Sequence, residues 1–115
     1  MTSSAERGTQ LQELLNRIGT DRSPYVETGR KFDRIVVDGR VTFFVARSTI
    51  LNRCEDGDIF GAKSKLAPNP RWYFGNIENA AKWDWSGPRP VPVSDTTVLA
   101  AKSYGEFVHY IRIPR

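Results

Sequence analysis

The stretch Phe32-Asp33-Arg34-Ile35-Val36-Val37-Asp38-Gly39-Arg40-Val41-Thr42-Phe43-Phe44-Val45 decides the fold. Two runs of β-branched and aromatic residues flank Asp38-Gly39, a pair favoured in two-residue hairpin turns because both positions take positive φ. Closing the turn there predicts a β-hairpin over 32–45. Val37 then faces Arg40, Val36 faces Val41, Arg34 faces Phe43 and Phe32 faces Val45. Side chains alternate along a strand, so Phe32, Arg34, Val36, Val41, Phe43 and Val45 share one face, read as the core side. Asp33, Ile35, Val37, Arg40, Thr42 and Phe44 share the other. That face is mixed enough to need partial cover of its own.

An element able to supply cover lies upstream. Leu11, Leu14, Leu15 and Ile18 recur at i, i+3, i+4 and i+7, the spacing of one helical face. Ser3 with Glu6, or Thr9 with Gln12, has the pattern of an N-terminal capping pair. Gly8 favours the later start because glycine weakens a helix interior, and Gly19 suits the residue after the last turn. The pattern predicts a helix over 9–18, followed by a polar connector from Thr20 to Lys31.

Beyond the hairpin, Asp56-Gly57 reads as a turn and 58–62 as a short third strand, in which Gly61 marks a bulge or a close backbone approach. Pro68-Asn69-Pro70 is expected to end regular structure and open a loop, making 56–77 a turn and loop region. Residues 77–83 fit a short helix, and 85–92 a proline-rich extended connector. Residues 107–113 read as a C-terminal strand. The 115 residues form one domain, expected to be α+β: a small antiparallel sheet with an N-terminal amphipathic helix packed on it.

Composition narrows the function classes. No apolar run approaches the ~20 residues of a membrane span, and the polar start is not a secretory signal. Cys54 alone forms no intrachain disulfide, which is compatible with a cytoplasmic location. Structural zinc takes about four Cys or His ligands, whereas Cys54 and His109 are the whole supply. Glu55, Asp56 and Asp58 around Gly57 suit either a hard cation or an acidic turn facing water. Asp58 and Lys63 lack the intervening acid of metal-dependent nucleases, because Gly61 stands in its place. No nucleophile-elbow sequence surrounds a serine, and His109 sits in a strand-like run as a packed histidine. Cys54 reads as a small apolar filler. With no convergent acid, base and nucleophile, the expectation is a non-enzymatic protein without a cofactor.

The net charge of +4 is spread evenly, with no polybasic block. One stretch differs. From Ile59 to Ile77 there is no acid, while Lys63, Lys65 and Arg71 accompany Phe60, Trp72, Tyr73 and Phe74. Cations that neutralise phosphates beside rings that stack on bases are the residue types of single-strand binders. Lys63, Lys65, Arg71, Trp72, Tyr73 and Asn76 are therefore the candidate ligand-binding residues. The competing reading buries Trp72 and Phe74 in the core, with Tyr73 at its rim. Trp83 and Trp85 alternate onto one face, as a core wall or as exposed anchors for a partner protein.

Gly57-Asp58-Ile59-Phe60, Ala62, Ser64, Pro68 and Gly75-Asn76-Ile77 resemble a pattern in small uncharacterised proteins of tailed bacteriophages. There a strand pair leads into a Gly-Asp-Ile-aromatic turn, a Ser-Trp-Lys-x-Pro-like segment and an Arg-Gly-Asn-like one. The likeness spans residues 57–77. Lys65 replaces that pattern's tryptophan, Leu66 its lysine and Phe74 its arginine. The resemblance implies a viral origin and no mechanism. The expectation is a phage-type protein that binds nucleic acid or a phosphorylated nucleotide in an infected cell. The alternatives are a module directed at a host protein and a phage structural or assembly component.

Overall fold

The computed structural model describes residues 4–93, apart from Asn52 and Pro88. Helix α1 (Ser4–Ile18) is followed by a 3-10 turn at Thr20–Arg22 and strands β1 (Tyr25–Thr28), β2 (Phe32–Val37), β3 (Arg40–Ala46), β4 (Asp58–Ser64) and β5 (Ala67–Asn76). A 3-10 segment, Ile77–Lys82, leads to the short strands β6 (Trp83–Asp84) and β7 (Val91–Pro92). β1 to β5 form one antiparallel sheet in sequential order, and β6 pairs with β7. This is an α+β fold with the helix packed on the sheet. The expected strand over 107–113 lies outside the described residues.

The hairpin closes at Asp38-Gly39, with φ of 53° and 77°, and pairs Val37 with Arg40 and Val36 with Val41 as expected. Beyond that its register differs. A bulge between Ile35 and Val36 sets Ile35 opposite Phe43, Arg34 opposite Phe44, Asp33 opposite Val45 and Phe32 opposite Ala46. One extra residue on β3 reverses which face its later side chains take, because strand periodicity is two. Ile35 and Val37 consequently share a face with Phe43 and Val45, and the expected grouping of Phe43 and Val45 with Arg34 and Phe32 is overturned.

That face carries the main core. Leu14 and Ile18 of α1 pack with Ile35, Val37, Phe43, Val45, Ile59 and Phe74, joined by Ile77, Ala80, Trp83 and Trp85. The amphipathic helix therefore covers the Ile35/Val37 face. Its start is earlier than its apolar spacing suggests, with Gly8 inside it at an open position. A tertiary contact offsets the glycine. Arg7 donates to the Ala46 carbonyl at 2.9 Å and to Asp56 at 2.8 Å, tying the first turns to the end of β3 and the approach to β4.

Three further expectations change. The polar connector contains the edge strand β1. Pro68-Asn69-Pro70 lies within β5, the other edge strand, where a missing N–H interrupts no internal ladder. The chain expected as an extended connector over 85–92 turns back instead, because its end, β7, pairs with β6: Trp83 with Pro92 and Asp84 with Val91. The opposite face of the sheet holds a smaller cluster of Ala46, Cys54, Phe60 and Tyr73, flanked by Phe32 and Ile50.

Candidate functional site

β5 does not run straight beside β4. Phe60 pairs with Tyr73, yet the next residue, Gly61, pairs with Asn69, so Pro70, Arg71 and Trp72 bulge from the ladder. Gly61 is the close approach expected from the sequence. A Cβ there would lie 2.9 Å from the Cβ of Trp72, closer than two carbons pack without movement. The bulge lays Trp72 on the helix-bearing side of the sheet, half-buried against the core.

The return loop then brings Arg89 over the same ring, with the guanidinium carbon 3.4 Å from the ring centroid. Arg89 and Trp72 border a groove of about 460 Å³ that Arg40, Thr42, Phe43 and Phe74 also line. Among the described residues no carboxylate lines it. A guanidinium stacked on an indole keeps its N–H donors directed outward in its own plane, free to meet an anion, and its outer face can take a further planar ring.

The six candidate residues do not converge. Lys63 and Arg71 are exposed, at bulges of β4 and β5 respectively. Lys65, in the turn between these strands, lines a separate cleft with Tyr25, Glu27 and Leu66. Of the six, Trp72 alone lines the groove. Arg40 and Arg89 complete it, and the sequence reading missed both because the register and the return loop bring them there.

Tyr73 and Asn76 serve another arrangement. Asp58 is fully buried, and its carboxylate accepts from the Glu55 backbone N–H at 2.8 Å, from Asn76 Nδ2 at 3.1 Å and from the Tyr73 hydroxyl at 3.3 Å. Asn76 Nδ2 also donates to the Asp56 carbonyl, while its Oδ1 accepts from the Glu78 N–H. Burial pushes Asp58 up to about 6, against the hydrogen bonds from Asn76 and Tyr73 that favour its anion. The neighbouring Asp56 adds to the rise. Asp58 is thus neither part of an acidic turn facing water nor an open cation ligand. Among the described residues no group of three Cys, His, Asp or Glu side chains could hold a metal.

Trp83 and Trp85 are core walls, 4% and 3% exposed, and Trp85 Nε1 donates to the Ala80 carbonyl at 2.8 Å. Their proposed use as exposed anchors is corrected by that burial. Cys54 is buried in the smaller cluster, where desolvation raises its thiol and keeps the reactive thiolate scarce. His109 lies outside the described residues. No helix among the described residues is long and apolar enough to cross a membrane. Compared with known proteins, the chain matches no family model, no curated protein and no solved structure.

Proposed function

We propose that this chain is a small non-enzymatic binding protein of phage type, acting in the cytoplasm of an infected cell. It engages nucleic acid or a phosphorylated nucleotide through the Arg40–Trp72–Arg89 groove. The observation that carries the reading is the Arg89 guanidinium stacked 3.4 Å over Trp72, beside Arg40, in a groove that no carboxylate lines among the described residues. A base stacks on the exposed side of the Arg89–Trp72 pair while Arg40 and Arg89 meet phosphate oxygens. Lys63 and Arg71, exposed on the adjoining strands, extend the field that attracts a polyanion.

The competing reading as a host-protein module has lost its tryptophan anchors to the core. Binding of a dye-labelled oligothymidylate, followed by fluorescence anisotropy at low salt, tests the proposal. Replacing both Arg40 and Arg89 with alanine is expected to weaken binding by at least about tenfold, since one lost charge-assisted hydrogen bond is worth about 1.5–3 kcal/mol. Equal binding by the folded double variant would contradict the reading.

A further inference from the structure

The two cations of the Trp72 groove come from segments that touch one common residue, Arg22. It closes the 3-10 turn at Thr20–Arg22, ahead of the edge strand β1. Its backbone is fixed on both sides: the N–H donates to the Gly19 carbonyl at 3.1 Å, and the carbonyl accepts from the Asp38 N–H at 2.9 Å. Its guanidinium then reaches in two directions. Nε lies 3.5 Å from the Asp38 carboxylate, and Nη1 donates to the Gly87 carbonyl at 3.2 Å.

Both partners stand shortly before a groove cation in the chain. Asp38 and Gly39 form the turn that leads into Arg40, with Asp38 at a φ of 53°. Gly87 precedes Arg89 in the return loop between β6 and β7. That loop is pinned at its ends by the pairing of Trp83 with Pro92 and Asp84 with Val91. Ser86 folds back onto the Asp84 carboxylate, through its N–H at 2.9 Å and its hydroxyl at 2.6 Å. Among the described residues, the Gly87–Arg22 bond is the only hydrogen bond from 86–90 to an element outside the β6–β7 pair.

A loop held at both ends and at one interior carbonyl has less conformational freedom left to lose when a ligand arrives. A guanidinium suits this task, because its rigid planar fork directs N–H donors along more than one edge. A lysine ammonium is a single point on a flexible stem. With 24% of its side chain exposed, Arg22 is a brace in the surface rather than a free cation on it.

We infer that Arg22 is the positioning residue of the groove: it ties the turn before Arg40 to the loop before Arg89 and so holds the binding form ready. This rests on the reading of that groove as a site for nucleic acid or a phosphorylated nucleotide. Arg22 is not among the residues lining the groove, so it acts through Arg40 and Arg89 and not through its own charge.

Arg22→Lys keeps the charge, removes the fork and gives two readouts. The first needs no ligand. A guanidinium stacked on an indole face lies in the shielding region of the ring, so the Arg89 side-chain protons resonate upfield, and Trp72→Ala supplies their unstacked position. In Arg22→Lys they are expected to move most of the way toward that position, while the indole resonances of the buried Trp83 and Trp85 stay in place. The second readout is oligothymidylate affinity at low salt. A fall of the binding form to about a third of the population weakens affinity about threefold, whereas a role for the Arg22 charge alone leaves affinity unchanged. If the lysine variant does not fold, Asp38→Asn keeps a turn-forming pair with Gly39, removes the carboxylate partner and is expected to move Arg89 in the same direction. Unmoved Arg89 protons in the folded variant would overturn the inference. Displaced protons with unchanged affinity, in a protein whose wild type binds the oligonucleotide, would overturn it too. If the wild type does not bind oligothymidylate, the assignment of the groove fails, and the Arg89 shift still decides the role of Arg22.

Discussion

Asp58 shows how one residue changes meaning between sequence and structure. In the sequence it belongs to a cluster with Glu55 and Asp56, which suggests an exposed turn or a cation. In the fold it is a buried acceptor of three hydrogen bonds, because β4 and β5 carry Asp58 and Asn76 to paired positions. Its pH behaviour follows. The folded value of about 6 stands above the ordinary 3.8, so the protonated form is the better tolerated one. The associated stability is fully present below about 3.8 and is lost as pH rises through about 6. Urea unfolding of the wild type and Asp58→Asn across pH 3.5–7 is the check. The wild type is expected to lose stability relative to the variant, on the order of 3 kcal/mol, over that window. Parallel curves would show that Asp58 does not titrate differently in the folded state. Nothing within reach of sequence spacing signals this role, since it depends on a partner 18 positions away.

At the scale of elements, local chemistry was legible where it acts locally. Asp38-Gly39 places the first hairpin, the apolar spacing from Leu11 to Ile18 places the helix, and 58–62 falls within β4. What escaped depends on neighbours. The bulge in the β2–β3 ladder changes the facing of Phe43 and Val45 without a glycine or proline to announce it. Pro68-Asn69-Pro70 suggests an ending, yet an edge strand tolerates proline because one side of its ladder is empty. The element that matters most is the β5 bulge, which rests on the missing side chain of Gly61. Gly61→Ala is expected to cost about 1–3 kcal/mol, the usual range for an overpacked site, and to shift Trp72 emission as the ring is displaced. Thermal unfolding and the emission spectrum measure the two effects together. An unchanged midpoint with unchanged emission would mean that the bulge does not depend on this contact.

At the scale of the molecule, the described residues form a helix-backed antiparallel meander whose helix side also receives the 3-10 segment and two tryptophans. This packing explains why the aromatic count is a poor guide to binding: Phe74, Trp83 and Trp85 build the core, and Trp72 alone among these four is only half-buried. Charge is the complementary case. The acid-free run from 59 to 77 contributes Trp72 to the groove, but Arg40 and Arg89 supply its cations from elsewhere in the chain. A groove assembled from four separate segments is visible only after folding.

The measurement that addresses the central claim most directly is the salt dependence of oligothymidylate affinity for the wild type and the Arg40→Ala/Arg89→Ala variant. Contacts to phosphate release counterions, and each contributes a slope of about −0.7 in log affinity against log salt for a single strand. The wild type is expected to bind with a steep negative slope, and the variant to bind more weakly with a slope shallower by about 1.4, the value for two lost contacts. Absence of binding at low salt, or the same slope in both proteins, would contradict the assignment of this groove to nucleic acid.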